Sequence, residues 1–144
     1  MVAEGLNLVI LEEGEKREIT TDMEVSHVFH PMTYLNKMVL SDGKRLQLWN
    51  IKSEKMIYEF RSILPTSNIV EIKQSPVVDV IALGLENGEI WLVNLKGDEV
   101  LLKLSQERAP VSLSFSSCSD LEKSLLASTN GGEIIFWDLN SAKI

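Results

Sequence analysis

Two histidines, one cysteine and three tryptophans are the side chains through which this sequence could do chemistry. A catalytic histidine needs a nucleophile within reach and an acid that orients its ring. The chain has no Gly-x-Ser-x-Gly elbow, and no acid pairs with His27 or His30. His27 falls in a stretch that reads as a strand, pointing from a sheet face, and His30, next to Pro31, is expected to cap or pack against a loop. Cys118 sits in a serine-rich turn with no lysine, arginine or histidine within three residues to stabilise a thiolate. One thiol and two imidazoles make neither a disulfide nor a structural zinc site, and no phosphate loop or EF-hand is present. The expectation is a chain with no catalytic residue, no cofactor and no metal, and therefore not an enzyme.

Aromatic rings at intervals can stack the bases of a single strand, and cations can hold its phosphates. The net charge of −7 argues against a nucleic-acid surface, with Glu12, Glu13, Glu15, Glu18, Asp22 and Glu24 crowded near the start as a solvated face. Lys37, Lys44, Arg45, Lys52 and Lys55 nevertheless form a local basic patch in the sequence, which keeps direct RNA binding open as an alternative. A lone cysteine fits a reducing compartment, nuclear or cytoplasmic, and no apolar run has the length of a membrane span. No membrane partner is expected.

The tryptophans gain another meaning from their spacing. Arg45-Leu46-Gln47-Leu48-Trp49-Asn50 returns as Glu89-Ile90-Trp91-Leu92-Val93-Asn94 and as Glu133-Ile134-Ile135-Phe136-Trp137-Asp138, so Trp49, Val93 and Trp137 follow one another at intervals of 44 residues. Side chains there alternate in the period of two that marks a strand. The pairs Asp42-Gly43, Asn87-Gly88 and Gly131-Gly132 precede them and predict hairpins with type I′ turns. The first glycine stands six residues before its repeat position rather than five, which predicts a longer turn or bulge around Lys44. Upstream lie second strands at 37–40, 80–85 and 125–129 and first strands at 25–29, 69–73 and 111–115; fourth strands read at 56–60 and 100–104. Trp49 and Trp137 at equivalent positions suggest packing between neighbouring units, and Trp91 shares the strand side of Val93 as a further core residue.

Four strands in a period of 40 to 45 residues describe a propeller blade. The chain resembles WD40 repeats: Trp137-Asp138 is the WD pair, Trp49-Asn50 a variant and Val93-Asn94 a degenerate one. The blade markers are thus Trp49, Asn50, Val93, Asn94, Trp137 and Asp138, with Gly43, Gly88 and Gly132 in the turns. In WD40 proteins a Gly-His histidine joins a hydrogen-bonded network with an Asp and the Trp; no such dipeptide enters any first strand here. His30-Pro31-Met32-Thr33-Tyr34-Leu35-Asn36-Lys37, Leu46-Gln47-Leu48-Trp49-Asn50-Ile51-Lys52 and Pro76-Val77-Val78-Asp79-Val80-Ile81-Ala82-Leu83-Gly84-Leu85 are more specific. They are similar to the family of WD repeat-containing protein 36 and its fungal counterparts.

That resemblance implies a nucleolar protein with two tandem propellers and a C-terminal helical domain, a scaffold in the U3-containing small-subunit processome that matures small-subunit ribosomal RNA. The expected fold is all-β: about three to three and a half WD40 blades of four antiparallel strands, not a closed ring alone. Segments 6–11 and 15–20 read as the third and fourth strands of a partial blade at 1–20. Blades follow at 21–63, 64–106 and 107–144, the last without most of its fourth strand. The missing blades would come from the rest of a longer chain or from a second copy. Partners would be processome proteins, with indirect or local contact to U3 or precursor RNA; a scaffold of an unrelated complex is the other reading. Loops 31–36, 61–68 and 106–110 are the expected contact segments.

Overall fold

A computed structural model describes residues 2–4, 7–116 and 125–139. Cys118 lies outside the described residues. Among them are fourteen strands and no helix, arranged as four antiparallel sheets. The first sheet holds β1 (Val2–Glu4), β2 (Asn7–Glu12) and β3 (Glu15–Thr20). The second holds β4 (His27–Phe29), β5 (Lys37–Ser41), β6 (Leu46–Asn50) and β7 (Lys55–Glu59). The third holds β8 (Ile69–Gln74), β9 (Val80–Leu85), β10 (Glu89–Asn94) and β11 (Glu99–Ser105). The fourth holds β12 (Ser112–Phe115), β13 (Leu125–Thr129) and β14 (Ile134–Asp138). Every sheet is a meander of sequential neighbours, the pattern of propeller blades. The chain divides into two compact units, Met1–Leu64 and Pro65–Ile144, each with two sheets.

The structure departs from the sequence expectations at three places. The first sheet gains β1, whose Val2 and Ala3 pair with Val9 and Leu8. Three residues are too few to show a period of two. The first strand of the second sheet is only His27–Phe29; the Ser26 amide donates to the Ser41 carbonyl at 2.8 Å, and the chain bends at residues 22–23 before it.

The third departure is in the hairpins. A type I′ turn needs positive φ at both central residues, yet only Gly43, Gly88 and Gly131 have it, at 104°, 96° and 91°; Asp42, Asn87 and Gly132 do not. Between β9 and β10 the Gly88 amide donates to the Leu85 carbonyl at 3.0 Å, giving a three-residue loop with its glycine in the left-handed region. The β5–β6 loop is one residue longer, and Asp42 fills it: its Oδ1 accepts the amides of Lys44 at 3.0 Å and Arg45 at 2.8 Å. The repeat also reaches a feature that side-chain patterns do not display. Pairing of β6 with β7 slips between Leu48 and Trp49, and pairing of β10 with β11 slips between Leu92 and Val93, one period later.

Each unit has a core between its two sheets. In the first unit Ile10 and Ile19 of the first sheet meet Leu40, Trp49 and Ile51 of the second, with Met23 and Val25 from the connection. In the second unit Ala82, Ile90, Leu92, Leu102 and Leu104 face Leu113, Leu126 and Leu139, with Trp137 packed against them. β9 is buried along its entire length, whereas β11 alternates, as an outer strand exposed on one side should. Trp91 and Val93 are both buried, and the Lys103 ammonium lies 4.3 Å from the Trp91 ring centre.

Candidate functional site

Three buried polar side chains, Gln47, Gln106 and Ser128, are gathered around Trp49 and Trp137. Gln47, two residues before Trp49 on β6, is fully buried. Its Oε1 accepts the Trp49 indole N–H at 2.8 Å, and its Nε2 donates to Glu59 at 2.6 Å and to Asp22 at 3.1 Å. One amide thus satisfies the indole and ties the connection after β3 to the end of β7. Arg45 closes the same group from outside: its guanidinium lies 3.2 Å from Asp42, 3.7 Å from Asp22 and 3.7 Å from Glu59. Burial works against the Asp42 charge, but the amides of Arg45 and Lys44 and the Arg45 guanidinium outweigh it and hold the carboxyl below its ordinary range. The hydrogen bond to Asp42 raises Arg45 in turn.

The fourth sheet solves the same problem with other residues. Trp137 Nε1 donates to Ser128 Oγ at 3.0 Å, and the Ser128 hydroxyl donates to Gln106 Oε1 at 2.6 Å. Gln106 Nε2 donates to the Arg108 carbonyl at 2.9 Å. Gln106 directly follows β11 and connects to the next sheet, the kind of place from which a Gly-His histidine would reach the Trp. A hydrogen-bonded network on the repeat Trp thus exists in both units without a Gly-His histidine, built on Gln47 of the Trp49 strand in the first and on Gln106, ahead of the next sheet, in the second. Gln47, Asp22, Glu59, Gln106 and Ser128 escaped the sequence reading; a Gln two residues before a repeat Trp and a Gln just after a fourth strand were the available signals.

Of the remaining markers, the two asparagines cap turns. Asn50 Oδ1 accepts the Ser53 amide at 3.0 Å, and Asn94 Oδ1 accepts the Gly97 amide at 2.9 Å, so both cap the loop that follows their strand. Asp138, at the end of β14, is exposed, as is Gly132, while Val93 is buried. A Cβ on Gly88 would strike the Gln106 carbonyl, which explains the residue there beyond its φ.

His27 Nδ1 lies 2.9 Å from Ser26 Oγ, and His30 Nε2 lies 2.6 Å from the Tyr34 carbonyl, pinning loop 31–36. No cluster of three metal-ligating side chains occurs among the described residues. The five cations of the sequence patch do not share a surface: Lys44 and Arg45 occupy the β5–β6 loop, and Lys37, Lys52 and Lys55 lie at the opposite end of those strands. Arg45 is moreover spent on three carboxylates. Of the expected contact loops, 31–36 exposes Leu35 at 81% and 61–68 exposes Leu64 at 58%. Loop 106–110 is anchored instead, with Gln106 and Pro110 buried and only Glu107 and Arg108 exposed.

Known proteins share this arrangement. The chain has a TM-score of 0.74 with a chain in the crystal structure of a mitotic checkpoint complex, at 16% identity, covering 98% of this chain and 43% of that one. It has a TM-score of 0.68 with the computationally designed Ika4 protein, at 17% identity, covering 94% and 80%. At such identities these likenesses establish the fold alone. Human WD repeat-containing protein 36 is 37% identical over 139 residues, which are 94% of this chain and 15% of that protein. The U3 small nucleolar RNA-associated protein 21 homolog of Schizosaccharomyces pombe is 37% identical over 127 residues, 86% and 14% respectively. The Saccharomyces cerevisiae U3 small nucleolar RNA-associated protein 21 is 32% identical over 119 residues, 81% and 12%. The chain thus spans about a seventh of the length of these relatives. Residues 8–144 match the profile described as the WDR36/Utp21 first beta-propeller, and with its blade-like sheets and repeat tryptophans the chain belongs to that family.

Proposed function

We propose that this chain is a non-catalytic scaffold segment of the small-subunit processome, holding proteins of the U3 particle together while small-subunit ribosomal RNA matures in the nucleolus. Family membership is the observation that carries this, because the two fungal relatives are named for association with U3 small nucleolar RNA. The site geometry agrees with it. Polar side chains at Trp49 and Trp137 are consumed by one another, and their hydrogen bonds join connections to strands, which is structural work. What remains for partners is the surface of loops and outer strands. Blades are assigned to 1–20, 21–63, 64–106 and 107–144, with the marker residues as their structural signature.

The test is purification of the full-length protein from cells through a tag, followed by identification of the RNA and proteins that accompany it. U3 RNA and processome proteins should co-elute. Their absence would remove the ribosome-assembly reading and leave a scaffold of an unrelated complex. Direct RNA binding through the five-cation patch is the weaker reading, since those cations lie at two ends of the sheet.

A further inference from the structure

Within the first unit an open groove of about 700 Å³ runs between the first and second sheets, at the end where β2 turns into β3 and β5 begins. Ile10, Met38 and Ile51 form its floor, and Leu11, 62% exposed, stands at its edge. Around this apolar floor are cations. Arg17 comes from one side, Lys37 and Lys52 from the other, with Glu12 the one carboxylate among the lining residues. Arg17 is already paired, with Glu12 at 3.7 Å and Glu54 at 3.6 Å. Lys37 and Lys52 are exposed and form no ion pair with any described residue. A chain of net charge −7 thus places two unpaired ammonium groups beside a mixed groove with Ile10, Met38 and Ile51 at its base.

We propose that this groove binds a short acidic peptide segment of a partner protein, one that seats an apolar side chain on Ile10, Met38 and Ile51 and sets carboxylates against Lys37 and Lys52. The proposal rests on the scaffold reading and gives it a site and a partner chemistry. Charge complementarity selects the acidic partner, because opposite potentials steer encounter and fix register. The apolar floor selects peptide over RNA. Recognition of a single strand relies on aromatic rings or arginine planes that stack bases; the groove is lined by no phenylalanine, tyrosine or tryptophan, its His30 ring is held by the Tyr34 carbonyl at 2.6 Å, and its Arg17 is paired with Glu12 and Glu54. Its volume lies within the ~300–1,000 Å³ of sites that enclose a small ligand, room for a few residues rather than a folded domain.

The experiment is selection of a phage-displayed dodecapeptide library on the full chain, followed by fluorescence titration of the recovered peptides. Lys37→Glu/Lys52→Glu and Leu11→Asp serve as variants; all three positions are exposed, so the fold should persist, which circular dichroism verifies. Recovered peptides should share acidic residues flanking a large apolar one. Both variants should weaken them at least about tenfold, and moderate salt should weaken them further, since exposed charges are screened. Peptides without acidic character, peptides that bind the variants equally, or no peptides at all would overturn the proposal. A labelled oligouridylate that binds where peptides do not, and is lost in the double lysine variant, would also overturn it and assign the groove to RNA. Failure here leaves co-purification with U3 RNA untouched, and peptide binding without that co-purification would retain the groove while removing the processome.

Discussion

Gln47 shows how much depends on one amide that the fold hides completely. Its three hydrogen bonds go to Trp49, Glu59 and Asp22, so Gln47→Leu keeps the volume and leaves the buried indole N–H without its acceptor. The expected loss is about 1–3 kcal/mol, the usual cost of an orphaned buried donor, read by urea denaturation; a loss below a few tenths would show the network to be ornamental. Gln106 allows a sharper test. Gln106→Ala removes the acceptor of the Ser128 hydroxyl and should cost a similar amount, whereas Gln106→His restores an acceptor and should recover most of it. Equal loss in both variants would show that glutamine is not standing in for a histidine. Asp42 adds a pH dependence. Its folded pKa lies below the ordinary 3.8, so its stabilising contribution is complete above that value and is lost as pH falls through the lower folded one. Glu89, held low by Asn87 and Thr66, acts in the same direction from its ordinary 4.5. Asp42→Asn should therefore lower Tm at neutral pH and lose less of it than the wild type between about pH 5 and about pH 2. Parallel Tm curves would contradict the assignment.

Strands and their pairing were largely legible because they follow from local patterns. β9, β10 and β13 begin and end where alternation and turn residues place them, and Trp49 and Trp137 pack across sheets, as their equivalent spacing suggested. The polar networks were not legible, since Gln47 and Asp22 are 25 residues apart and nothing in either neighbourhood names the other. Turn type was misread for a related reason: an Asn-Gly or Asp-Gly pair permits positive φ at both residues, and the loop length set by strand pairing decides whether it is used. The two turn glycines Gly88 and Gly131 separate conformation from crowding. Both have positive φ, but a Cβ on Gly131 meets nothing within 4 Å, while one on Gly88 meets the Gln106 carbonyl. Gly131→Ala should cost about 1–2 kcal/mol for the backbone alone, and Gly88→Ala clearly more. Equal losses in denaturant titrations would show that the loop yields to relieve the contact.

At the scale of the whole chain, the fourth sheet has two unlike faces. Trp137 packs into the core of its unit, while Ile134 and Phe136, on the opposite side of β14, are 66% and 70% exposed. Scattered exposed apolar residues are ordinary, but two large ones adjacent on one strand face form a patch that water disfavours and another surface can cover. Leu35 is more exposed still, at 81%, yet it stands on a loop tip without such a neighbour on a strand. Association of the isolated chain should accordingly depend on the sheet face and not on the loop. In sedimentation velocity, Ile134→Thr/Phe136→Thr should shift the weight-average mass toward the 16.2 kDa of a single chain, and Leu35→Ser should leave it where the wild type has it. Threonine retains strand propensity, so a change in mass can be ascribed to lost apolar surface and not to lost pairing. If the loop variant dissociates the chain and the strand variant does not, the exposed face of β14 is not what drives copies together.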